Sequence, residues 1–160
     1  TGHSRMVVPR LGYDSAATHA AAKHDAFEAL RGNTNVSFLL FPFHLTPSGN
    51  VGMTLQTFWP LAVDRTLLEW QSLLPDWGDG DPPTAGVERN LYFDTVMDED
   101  TANMEPVQQS LRSPSFDGIL TSYHERRIYH HEAAVDRLIG IEHVPEHLRV
   151  PQLLESYHAD

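Results

Sequence analysis

An aspartate set into an apolar helical stripe is the feature of this chain that carries the most chemistry. Between Glu88 and about Arg112, the residues Phe93, Val96, Met97, Met104, Val107 and Leu111 recur at the spacing of one helix face. Asp100 falls on that stripe, one turn after Val96 and one turn before Met104. A carboxylate among apolar neighbours is costly unless it is paired, hydrogen-bonded or bound to a metal. The residue types leave three readings open. Asp100 could pair with an arginine, the helix could turn it into water beside Asp98, Glu99 and Glu105, or it could serve as a metal-ligating or catalytic carboxylate.

Histidines are the natural complement to such a carboxylate. His19 and His24 are five positions apart, which on an ideal helix leaves them about 140° apart around the axis, a poor start for chelation. His130 and His131 are adjacent and point about 100° apart, which suits surface or packing roles. His44 follows Phe41-Pro42-Phe43 and stands either on a pocket wall or in an ordinary loop. The chain has 0 cysteines, which removes disulfides, a thiolate nucleophile, Cys-ligated zinc and a Cys-bound iron–sulfur cluster. No nucleophile-elbow pattern points to a hydrolase.

The elements that must position these residues are legible in part. Asp14 or Ser15 caps a predicted helix through the alanine-rich stretch to Leu30, with Gly32 as its stop. Val36 to Phe41 reads as a buried strand closed by Pro42, and Val51 to Pro75 as two long antiparallel strands joined near Asp64. Trp59 and Trp70 are expected in the core of those strands. Asp76 to Gly86 reads as a loop, and Glu88 to Arg112 as one long helix kinked at Pro106. A helix from about Glu125 to Leu138 stops at Gly140, and a short helix follows Pro145. Strands in the middle with long helices after them predict an α+β domain, an antiparallel sheet covered by helices.

Bulk properties exclude several classes. With 41% hydrophobic and 21% charged residues the composition is that of a globular domain, and 160 residues suffice for a core. The longest apolar run, Phe38-Leu39-Leu40-Phe41, is far shorter than the roughly 20 residues of a spanning helix. A net charge of −11, from 22 acidic against 11 basic residues, repels nucleic acid and anionic lipid, so neither is an expected partner. The absence of cysteine fits a cytoplasmic protein, and the start at Thr1-Gly2-His3 without Met raises truncation as an expectation.

The run Met97-Asp98-Glu99-Asp100-Thr101-Ala102-Asn103-Met104-Glu105-Pro106-Val107-Gln108 resembles the C-terminal helix of ring-hydroxylating oxygenase α subunits. Further likeness lies in order around it: Gly2-His3-Ser4, Phe41-Pro42, Phe58-Trp59-Pro60-Leu61, Asp64-Arg65-Thr66, Glu69-Trp70 and Tyr123-His124-Glu125-Arg126. The resemblance implies a helix-grip-like fold, a curved antiparallel sheet packed around a long helix. It implies that Asp100 is the carboxylate of a two-His-one-carboxylate Fe(II) site, whose open positions take dioxygen and substrate. It also implies hydroxylation of an aromatic or similar apolar small molecule, electrons from a ferredoxin and reductase through a Rieske [2Fe–2S] cluster, and a homotrimer. Asn35, Ser37, His44, Leu45, Asn90, Phe93 and Val96 would face the substrate.

A Rieske cluster needs two Cys and two His, so it could belong only to an intact parent and not to this chain. The family's histidine pair is expected upstream of Gly2. Residues 1–160 are thus expected to form one partial catalytic domain, inactive alone. Two other readings compete. One is a helix-grip module that holds an apolar ligand without redox chemistry. The other is a self-contained metal site of His19, His24 and Asp100.

Overall fold

The computed structural model describes residues 2–49 and 51–152, the side chains of Phe27, Leu30 and Arg31 excepted. Five strands form one antiparallel meander in the order β1-β2-β3-β4-β5. They are β1 (Ser4–Pro9), β2 (Thr34–Leu40), β3 (His44–Ser48), β4 (Met53–Ala62) and β5 (Arg65–Leu73). The helices are α1 (Ser15–Ala22), α2 (Ala26–Asn33), α3 (Thr84–Ala102), α4 (Met104–Ser110) and α5 (Arg126–Ile139). An open antiparallel sheet with helices laid on it is the expected α+β, helix-grip-like class. The two long strands meet at Asp64 as the alternation of residues predicts. Strands β1 and β3 are additions that sequence reading left as polar or loop segments.

The helical stretch after Asp14 is broken rather than continuous. Asp14 caps α1, its Oδ1 accepting from the backbone N–H groups of Ala16 and Ala17, both at 2.9 Å. Asp25 then starts a second helix by accepting from the Glu28 N–H at 3.0 Å, so the chain turns at Lys23-His24. Gly32 lies inside α2 and does not stop it.

The long helix also divides, at Asn103 rather than at Pro106. Proline has no N–H for the carbonyl one turn back, and its ring crowds that carbonyl. The break therefore falls a turn upstream: α3 ends at Ala102, and Pro106 is the third residue of α4. Asn103 ties the corner by donating from Nδ2 to the Glu99 carbonyl at 3.1 Å. Gly140 closes α5 as expected, with φ 96° and its N–H bonded to the Asp136 carbonyl at 3.0 Å.

Register defines which residues share a face. Ser4 pairs with Leu39, Met6 with Ser37 and Val8 with Asn35; Leu39 pairs with Leu45, Leu45 with Gln56 and Gln56 with Trp70. Directly opposed residues of antiparallel strands project to one side, so these residues line a single face. Both α3 and α5 are anchored to it. The opposite face shows Val7, Phe38, Leu40, Trp59, Leu67 and Leu73 at least partly in solvent. Trp59 and Trp70 are not core residues: each is exposed and directs its indole N–H to a carboxylate, Trp59 to Glu69 at 2.6 Å and Trp70 to Asp94 at 3.2 Å. The indole donor takes a partner at the wet end of a strand, and this outweighs burial of the ring.

Candidate functional site

Helix α3 is seated on the sheet by residues four apart. Arg89, Phe93 and Met97 follow the four-residue step that keeps one helix face on the sheet. Met97 is buried, and its Sδ accepts from Gln56 Nε2 at 3.1 Å. Arg89 reaches the fully buried Thr54, donating from Nη2 to its Oγ1 at 3.0 Å and to the Pro47 carbonyl at 3.4 Å. Its Nη1 donates to Asn90 Oδ1 at 3.2 Å. Burial pulls the Arg89 pKa below its usual value. Near the start of α3, Gly86 packs on Leu74, and a Cβ there would stand 2.8 Å from Leu74 Cδ1.

Between α3 and strands β1 to β3 lies a cavity of about 470 Å³, lined by Met6, Val8, Asn35, Ser37, Arg89 and Phe93 among others. Two of its polar sheet residues are held by arginines. Arg10 Nε donates to Asn35 Oδ1 at 3.1 Å, and Arg127 Nη1 donates to Ser37 Oγ at 3.0 Å.

A second cavity, about 460 Å³, lies under α5 and is lined by Leu39, Phe43, His44, Leu45, Phe58 and His131 among others. Helix α5 is docked here by Arg127, whose Nε donates to Ser4 Oγ at 2.9 Å. His131 approaches the Pro42 carbonyl through Nε2 at 3.2 Å and Glu132 Oε1 through Nδ1 at 3.1 Å. An imidazolium donates to both partners at once. The bond to Glu132 and then the one to Pro42 raise the His131 pKa, against an opposing effect of burial; the same pairing lowers that of Glu132.

The Gly2-His3-Ser4 segment is explained by this docking. Gly2 is buried, and a Cβ on it would lie 2.4 Å from the Phe41 ring and 2.8 Å from Ala134 Cβ. His3 Nδ1 accepts from the Phe41 N–H at 3.0 Å. Glycine permits the contact, histidine ties the corner before Pro42, and serine receives Arg127.

Asp100 is exposed, as are Asp98 and Glu99. The periodicity that placed it on a buried stripe holds for Phe93, Val96 and Met97 and fails beyond them, because Met104 and Val107 are also exposed. The last described hydrogen bond from the sheet to α3 is at Met97. Asp100 nevertheless keeps the helix side of Phe93, about 20° from it around the axis and two turns, about 10 Å, further on.

The expected substrate-facing residues divide between the two cavities. Asn35, Ser37 and Phe93 meet in the first, His44 and Leu45 in the second. Asn90 and Val96 are half-buried on α3 and line neither. His19 and His24 are exposed on and just after α1. Among the described residues no group of three His, Cys, Asp or Glu side chains converges, so the self-contained site of His19, His24 and Asp100 is not assembled. Arg89 and Arg127 were not anticipated. Arg89 had a signal, since it extends the Phe93–Met97 stripe by one four-residue step; Arg127 had none beyond its place after Glu125-Arg126.

This chain belongs to the ring-hydroxylating oxygenase family: the family model described as ring hydroxylating alpha subunit (catalytic domain) matches residues 5–141. The match spans all of the meander but Ser4, both cavities and the helix that bears Asp100. No match was found among curated proteins or solved structures. No helix among the described residues is long and apolar enough to cross a membrane.

Proposed function

We propose that this chain is the catalytic part of a Rieske-type non-haem Fe(II) oxygenase that uses dioxygen to hydroxylate an aromatic or similarly apolar small molecule. The observation that carries the reading is the cavity between the concave sheet face and α3, the helix that bears Asp100 in the segment resembling the family's iron carboxylate. Phe93 lines that cavity, and Asp100 lies on the same side of the helix two turns on. Iron held by two imidazoles and one carboxylate offers open positions to dioxygen and substrate.

The described residues supply one such donor and not the triad, so no reaction step is derived through iron. Asp100 would give the carboxylate, and the histidine pair is proposed to lie upstream of Thr1. The chain's own contribution is to enclose the substrate: Met6, Val8 and Phe93 exclude water from an apolar body, while Asn35 and Ser37 orient its polar edge. Electron donors, a Rieske [2Fe–2S] cluster and a trimeric assembly belong to the proposed parent protein.

Anaerobic Fe(II) titration of the chain alone, wild type against Asp100→Ala, tests the ligand set. Weak binding that the substitution leaves unchanged is expected. Stoichiometric, Asp100-dependent binding contradicts the placement of the histidines outside the chain. The exposure of Asp100 favours one competing reading, a helix-grip module that binds an apolar ligand without oxidising it. That reading predicts no incorporation of oxygen from dioxygen into an aromatic probe by the full-length protein with its reductant.

A further inference from the structure

We infer that the cavity against α3 takes an apolar molecule bearing a carboxylate, and that Arg89 is the residue that recognises the anion. This rests on the reading of that cavity as the substrate site and narrows it to a substrate class.

The charge distribution carries the inference. The chain has twice as many acidic as basic residues, 22 against 11, yet among the described residues no Asp or Glu lines this cavity. Arg89 is the one charged residue in its wall among the described residues. Among the described residues the hydrogen-bond partners of Arg89 are all neutral: Asn90 Oδ1, the Pro47 carbonyl and Thr54 Oγ1. A guanidinium has five N–H donors, and these bonds use three, which leaves the Nε–H and one Nη1–H for a ligand.

Two more guanidiniums stand behind the wall, and they too meet neutral groups. Arg10 binds Asn35 and the Gly32 carbonyl, and Arg127 binds Ser4 and Ser37. In each, Nη2 is buried without a hydrogen-bond partner among the described residues. Arg89 in the wall, with Arg10 behind it and Arg127 reaching Ser37 from the cavity under α5, makes the potential there more positive, since no carboxylate is among their partners in the described residues. Half-buried charge is costly until it is paired, and burial already weighs against the charged forms of Arg89 and Arg127. A ligand carboxylate supplies the missing counter-charge through charge-assisted hydrogen bonds, while its ring system occupies the apolar wall formed by Met6, Val8, Val36 and Phe93. Arginine suits this role better than lysine, because it keeps its charge on partial burial and its planar group can hold the sheet and still present further donors.

The test is equilibrium binding of 2-naphthoate and of its neutral counterpart 2-naphthamide to the chain after chelator treatment. The carboxylate should bind at least about tenfold more tightly, a preference worth about 1.4 kcal/mol. Arg89→Gln should abolish the preference, Arg89→Lys should keep part of it, and Arg127→Gln should weaken it less than Arg89→Gln does. Amide chemical shifts of the unsubstituted chain give a readout independent of any variant: naphthoate should move Ser37, Arg89 and Phe93. Equal affinity for the two probes, no binding of either, a preference that survives Arg89→Gln, or shifts confined to Phe43 and His131 each overturn the inference. Because the measurement uses no metal, it stands apart from the oxygenase reading. Anion preference without oxygenation leaves a binding module, and oxygenation without anion preference removes this inference alone.

Discussion

Gln56 Nε2 donates to Met97 Sδ at 3.1 Å, and this contact is the last described tie between the sheet and α3 before Asp100. Met97 is 6% exposed, so its side chain both fills the interface and accepts the amide. Met97→Ala is expected to destabilise the chain by about 2–5 kcal/mol, as for a buried large-to-small change. Met97→Leu keeps the volume but leaves the Gln56 amide without its acceptor, so a smaller loss of about 1–3 kcal/mol is expected. Urea unfolding of the two variants against wild type measures both.

Gly52 should be the glycine least tolerant of a side chain in the β3–β4 connection. Its φ is +153°, and a Cβ would lie 2.6 Å from the Leu73 carbonyl oxygen, a backbone atom that cannot swing aside. Gly52→Ala is expected to cost about 1–3 kcal/mol. An unchanged denaturation midpoint would show that the turn relaxes freely.

The His131–Glu132 pair predicts a pH window. The folded pKa of His131 is raised above its ordinary value of 6.5, chiefly by Glu132, so its contribution is complete below that value and is lost as pH rises through the folded pKa. The folded pKa of Glu132 is lowered from 4.5 by the same partner, so its contribution is complete above 4.5 and is lost as pH falls through the folded pKa. Both contribute between about pH 4.5 and 6.5. For a pair this open to solvent the difference is about 0.2–1 kcal/mol. The gap in stability between wild type and His131→Gln should be larger near pH 5.5 than near pH 9. A gap that widens toward alkaline pH contradicts the assigned pairing.

The sequence made some elements plain because one periodicity dominated them. The alternation from Met53 to Leu73, the cap at Asp14 and the stop at Gly140 each act through neighbours close in the chain. Strand β1 was hidden because Ser4 to Pro9 gains its strand character from pairing with β2, some thirty residues on. The helix break moved from Pro106 to Asn103 because a proline acts on the carbonyl one turn before it.

At the site, helical spacing correctly set Phe93 and Met97 against the sheet. It could not tell that Asp100, beyond the last described hydrogen bond from the sheet to α3, would be exposed. Asn35 and Ser37 were legible from strand register against the family pattern. The arginines that brace them were not, since Arg10 and Arg127 reach them from 25 and 90 positions away.

The central claim is that Asp100 is an iron ligand. The direct measurement is iron in the proposed full-length parent, wild type against Asp100→Ala, with the signal of the proposed [2Fe–2S] cluster as an internal control of folding. Wild type should hold about one mononuclear iron per catalytic domain. In the variant that iron should fall to background while the cluster signal is retained. Full mononuclear iron in Asp100→Ala would contradict the claim.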